Sequence, residues 1–119
     1  MYNLVPAVGA VSATRSNFNF EELWEYANQP FGPTCPMKIE GRKVEPPEPT
    51  KGFIARTYKY MDAAYPEYRM SKKQRKLMDA WDRQYPVDRW ECTRAKRIEY
   101  LQGNENPFVK NMCISKGLW

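Results

Sequence analysis

Six of the ten prolines fall between Pro30 and Pro49, and no other feature limits the fold as tightly. Proline lacks a backbone N–H and pushes the residue before it out of the helical region, so residues 29–51 exclude a regular helix or a central strand. A linker between two domains is one use for such a stretch. Too little chain precedes it to bury a core, which favours an ordered loop wrapping a single domain of residues 1–119. One short strand fits around Met37 to Glu40.

On either side of that loop the apolar spacing is helical. Residues 4–15 read as a short helix with Pro6 in its first turn and Leu4, Val8 and Val11 on one face; Gly9 weakens it unless another backbone packs closely there. Glu21 to Ala27 has helical content. After the loop, a helix from about Lys51 to Tyr65 places Phe53, Ile54, Thr57, Tyr58 and Met61 on one face, with Pro66 beyond its end. A second starts at Ser71, where Gln74 completes a Ser-x-x-Gln capping box, and buries Leu77, Met78, Trp81 and Tyr85. A third is announced by Asp88 and Glu91 in the same relation, turns Cys92, Ala95, Ile98 and Leu101 inward and stops at Gly103. The fold class expected is therefore mainly α, with little sheet. The tail from Lys110 extends past Cys113 to Trp119, which needs a pocket or a partner.

Lys and Arg outnumber Asp and Glu by 19 to 14, a net charge of +5 that suits a polyanionic partner and is also common in proteins that touch none. The densest basic run is Arg69, Lys72, Lys73, Arg75 and Lys76, with no acid among them. Cations in a first helical turn oppose the helix dipole, which points to a use outside the helix: contact with successive phosphates. The bland alternative is a solvated helix end. A second set, Arg89, Arg94, Lys96 and Arg97, reads equally well as surface charge balanced by Asp88, Glu91 and Glu99. The many aromatic residues are expected mostly in the core.

Three cysteines, Cys35, Cys92 and Cys113, cannot all pair within one chain, so at least one thiol is left over. Their spacing matches no zinc pattern, and the sequence has no histidine. No apolar run is long enough to cross a membrane, and the start lacks the basic and apolar regions of a signal peptide. If complete, the chain is expected to stay in the cytoplasm.

Several blocks stand together in order and spacing: Asn3-Leu4, Gly9, Arg15-Ser16-Asn17 and Phe18-Asn19-Phe20; Gly52 through Tyr58; Tyr85-Pro86-Val87-Asp88; Trp90 through Arg94; and Gln102-Gly103-Asn104 through Asn106-Pro107-Phe108-Val109. In these the chain resembles the bacterial endonuclease I family, DNA-cutting enzymes with a ββα-metal core that use magnesium. The resemblance implies the C-terminal portion of that fold, truncated, with an extended start at Phe18-Asn19-Phe20. It also implies an exported, disulfide-bonded protein, because the three cysteines fall at family positions, and a periplasmic or secreted location if the chain is a fragment.

The same resemblance implies what is missing. The family's general base is a histidine beside a metal-binding glutamate on an earlier strand; imidazole suits that task because it titrates near neutrality. The second metal ligand is an asparagine three residues before the arginine of Arg-Ser-Asn. Here that position is Ser12, a shorter and weaker oxygen ligand. Tyr2 stands where the family has histidine, and Glu105 where many relatives do; the latter leaves a structural turn. No catalytic residue, metal ligand or cofactor is therefore assigned. Arg15, near the metal site and DNA backbone in the family, is expected to touch phosphate along with Arg69, Lys72, Lys73, Arg75 and Lys76, while Asn17 braces the following turn.

Three functions compete. The first is an inactive, nuclease-derived domain that binds nucleic acid without sequence preference. The second is an interaction protein, for instance a phage-type inhibitor such as an anti-CRISPR, whose open face takes a protein partner or a second copy. The third is the back half of an active DNA endonuclease completed by other sequence, which Met1 at an internal family position permits and Ser12 opposes.

Overall fold

A computed structural model describes residues 19–25, 27–67 and 69–119. The helix expected over residues 4–15, and with it Ser12 and Arg15, lies outside the described residues. The chain divides into two compact units, with the boundary between Thr50 and Lys51.

In the first unit, strands β1 (Asn19–Phe20), β2 (Lys38–Glu40) and β3 (Lys43–Glu45) form a sheet in the order β1-β3-β2. β1 runs parallel to β3 with Phe20 opposite Val44, and β2 runs antiparallel to β3 with Ile39 opposite Val44. The β2–β3 turn is Gly41-Arg42, and Gly41 has φ 61°, the positive value that tight hairpins need at their first central residue. The extended start at Phe18-Asn19-Phe20 and the strand around Met37 to Glu40 are thus present over Asn19–Phe20 and Lys38–Glu40. The exclusion of a central strand from 29–51 was too broad. Its prolines leave residues 37–45 untouched, and β3 forms there with Val44 fully buried.

Glu21 to Ala27 is not helical over its described residues. The Glu21 N–H donates to Val44 O at 2.9 Å and the Leu23 N–H to Glu45 Oε1 at 2.9 Å. Those donors serve the sheet, which leaves too few residues for a helix.

Four helices follow: α1 (Glu48–Ala64), α2 (Lys72–Gln84), α3 (Arg89–Gln102) and α4 (Pro107–Ser115). α1 starts inside the proline-rich stretch because Pro49 falls in its first turn, where no N–H is required. Both expected caps are formed: Ser71 Oγ accepts from the Gln74 N–H at 3.2 Å and Asp88 Oδ1 from the Glu91 N–H at 2.8 Å. Gly103, at φ 81°, ends α3 with its N–H on Glu99 O. The fourth helix replaces the tail expected after Lys110. Asn106 Oδ1 accepts from the Phe108 N–H at 3.1 Å, Pro107 opens the helix, and the Leu118 N–H closes it on Cys113 O at 2.8 Å.

The second unit is centred on Tyr60, Val87, Cys92, Ala95, Ile98, Val109 and Cys113, with Met61, Phe108, Met112, Leu118 and Trp119 packed against them. Cys92 and Cys113 form a disulfide that ties α3 to α4; Cys35 carries a free thiol. Met78 and Trp81 are fully buried in α2 as expected. Leu101 is not buried: it is 70% exposed, since Gly103 ends the helix before another element covers it. The inward face of α1 also differs. Lys51, Gly52, Ala55, Arg56 and Tyr60 are buried, whereas Phe53, Ile54, Thr57, Tyr58 and Met61 are only half-buried.

Candidate nucleic-acid interface and the buried charge network

The rotation of α1 follows from charge rather than hydropathy. Arg56 is 1% exposed and lies between α2 and α3. Its Nε donates to Glu91 Oε2 and its Nη2 to Glu91 Oε1, both at 2.7 Å, while Nη1 reaches Asp82 Oδ1 at 3.0 Å and Tyr85 O at 2.9 Å. Burial opposes the guanidinium's charge, yet the bonds from Glu91 and Asp82 outweigh it and hold the pKa above its ordinary value. Gly52, one turn earlier, makes room for this arrangement: a Cβ there would stand 1.9 Å from Tyr85 O.

Lys59, the next cation on α1, bridges Asp79 at 3.0 Å and Asp82 at 2.9 Å. Partial burial disfavours its charge, but hydrogen bonds to Asp82 and Asp79 raise its pKa overall. Lys51 lies over the rings of Trp81, at 5.5 Å, and Tyr85, at 5.7 Å. None of these residues stands among those expected to act. The available signal was a cation on an apolar helix face, at Arg56; Glu91 was hidden by its capping role.

This network is structural chemistry. Asp79 and Asp82, the acids nearest to forming a cation site, already hold the Lys59 ammonium. Among the described residues no group of three Cys, Asp or Glu side chains is placed to hold a metal ion, so magnesium has no fitting donor set there.

The basic run sits apart from the buried charges. Arg69, Lys72, Lys73, Arg75 and Lys76 are all exposed, and the last four belong to the first turns of α2. Lys72, Arg75 and Lys76 share a face by the i, i+3, i+4 rule. Arg75 is also engaged within the fold: its Nη1 bonds Asp62 Oδ2 at 2.7 Å. Asp62 in turn accepts the Met70 N–H at 3.2 Å, so it ties the entry of α2 to α1. Arg75 foremost, then the Met70 amide, hold the Asp62 carboxyl below the usual carboxylate range. The arrangement offers a phosphate several cations at a helix end whose acid is already paired. Arg15 lies outside the described residues.

Comparison with known proteins places these features. The family model for Endonuclease I matches residues 1–113. An extracellular deoxyribonuclease of Aeromonas hydrophila is 48% identical over 116 residues, covering 95% of this chain and 49% of that protein. A periplasmic deoxyribonuclease of the same organism is 47% identical, covering 95% and 48%. Endonuclease-1 of Buchnera aphidicola subsp. Acyrthosiphon pisum is 43% identical over 118 residues, covering 98% and 46%. The chain spans about half the length of the curated relatives it matches.

Proposed function

The chain belongs to the endonuclease I family, and from that premise we propose that these 119 residues bind nucleic acid without sequence preference and do not cut it unaided. The observation that carries the reading is the exposure of the whole run Arg69, Lys72, Lys73, Arg75 and Lys76, while Arg56 and Lys59 are held internally by acids. Cations that neutralise phosphates regardless of base release condensed counterions, and no base-reading element accompanies them. The net charge of +5 and the resemblance-based role of Arg15 favour the same partner. The absence of histidine from the sequence and Ser12 at the family's ligand position favour inactivity of these residues by themselves.

The names of the Aeromonas relatives, extracellular and periplasmic, together with the Cys92–Cys113 disulfide, support an exported protein. No described helix is long and apolar enough to cross a membrane. A second reading has its own support: the match to about half of each relative favours the back part of an active endonuclease completed by further sequence.

The test is duplex DNA binding across a salt series, with Lys72→Gln/Lys73→Gln/Lys76→Gln as the variant, since it spares the Arg75–Asp62 tie. The parent should bind with a steep salt dependence, and the variant's slope should flatten by about 3, near 0.9 per lost phosphate contact. Unchanged binding by the folded variant would make this surface ordinary solvated charge, and no binding by the parent would favour an interaction protein. Plasmid nicking by the parent with magnesium, lost in Arg15→Ala, would establish activity instead.

A further inference from the structure

The acids that the sequence sets along α3 to balance its basic residues are all turned elsewhere. Asp88 caps the helix, Glu91 is buried against Arg56, and Glu99 Oε1 accepts from Lys110 Nζ at 2.8 Å. What α3 leaves at the surface is cationic and aromatic. Arg89 and Arg97 are exposed, Trp90 is 59% exposed and Tyr100 88%. At 3.6 residues per turn Trp90, Arg97 and Leu101 fall within about 20° of one line along the helix, and Tyr100 flanks it about 15 Å from Trp90. Trp90 is braced from behind: its ring stands 5.5 Å from that of Phe53, over which the Arg94 guanidinium also lies at 5.2 Å. A large ring held at the surface in this way loses little freedom when something stacks on it.

We propose that this face of α3 binds single-stranded nucleic acid, with Trp90 and Tyr100 as base-stacking platforms and Arg89 and Arg97 on the phosphates. Exposed rings alternating with arginines fit a strand whose bases are unpaired, because every base offers a π-face and every linkage a negative charge. A duplex hides its base faces and gains nothing from the rings. A second copy is disfavoured by like charge, since each chain carries +5 and the face itself is basic. The proposal shares with the preceding reading only the class of partner; it concerns α3, not the start of α2.

The experiment is fluorescence anisotropy of a short labelled oligothymidylate and of a duplex of equal length, with Trp90→Ala, Tyr100→Ala and the corresponding Phe variants. Each alanine should weaken single-strand binding about fivefold or more and leave duplex binding unchanged, while each phenylalanine retains it. Tyr100, almost wholly exposed, can be truncated without disturbing the fold, so its variant carries the test if Trp90→Ala misfolds. Equal oligothymidylate affinity for parent and Tyr100→Ala would overturn the proposal. So would loss of self-association in the alanine variants with strand binding intact, or a parent that binds no oligothymidylate. Binding of oligothymidylate but not duplex would sustain it while removing the role of the α2 run.

Discussion

Arg56 and Glu91 meet as two forks, Nε to Oε2 and Nη2 to Oε1, each at 2.7 Å, with 35 residues of chain between them. Neither group reaches bulk water, so each charge is tolerated only because the other is present. The pair fixes how α1 lies against the start of α3.

Removing one partner should therefore cost far more than the pair itself contributes. Glu91→Gln is expected to destabilise the fold by about 3–5 kcal/mol, measured by urea denaturation, because Arg56 is left buried with an uncompensated charge. Arg56→Met combined with Glu91→Leu should restore most of that loss. A Glu91→Gln variant within about 1 kcal/mol of the parent would contradict this account.

Gly52→Ala should be among the most damaging small substitutions. The added methyl meets the Tyr85 carbonyl and Cβ, and backbone cannot swing aside as a side chain does. The loss should reach about 3 kcal/mol or more, read as a lowered urea midpoint, because α1 must back away and pull Arg56 from Asp82 and Tyr85. An unchanged midpoint would show that the two elements slide freely.

The native protein should titrate with one thiol, Cys35, and only after unfolding in reductant with three. Cys92→Ala/Cys113→Ala is expected to lose roughly 3 kcal/mol, since the bond closes a loop of 21 residues in the unfolded chain. Two reactive thiols in the folded parent would count against the pairing.

The Asp62 carboxyl should titrate below 3.8, its unperturbed value, when followed by carbon NMR. A carboxyl depressed in the fold takes up its proton later than in the unfolded chain. Its stabilising contribution is thus complete above 3.8 and is lost as pH falls through the lower folded value. Arg75→Gln should move the midpoint back up. A parent midpoint above 3.8 would mean that Arg75 points elsewhere.

What the sequence revealed and what it concealed divide along the range of the interactions involved. Ser71, Gln74, Asp88, Glu91 and Gly103 act on neighbours three or four residues away, so their side chains alone mark where α2 and α3 begin and α3 ends. The proline count misled at the scale of single residues: Pro49 opens α1 and Pro107 opens α4, while β3 needs only the proline-free span after Met37. Glu21 and Leu23 went wrong because their N–H groups answer to Val44 and Glu45, more than twenty residues on. The basic run was visible as composition, but its tie to Asp62 was not. The cationic face of α3 was hidden for the same reason, since only the fold shows that Glu91 and Glu99 are spent on Arg56 and Lys110.

The cystine between α3 and α4 also bears on how oxidation proceeds. Three thiols permit three pairings, and the one adopted joins the two that lie nearest along the chain; Cys35 is more than twice as far from either. Each doubling of a loop makes its closure harder by about 0.6 kcal/mol, so random encounters in the unfolded chain already favour the correct bond roughly threefold. The helical hairpin of α3 and α4 enlarges that bias, because it brings Cys92 and Cys113 together without waiting for α1. An oxidant meeting the chain before it has folded is thus steered toward the native bond by polymer statistics alone.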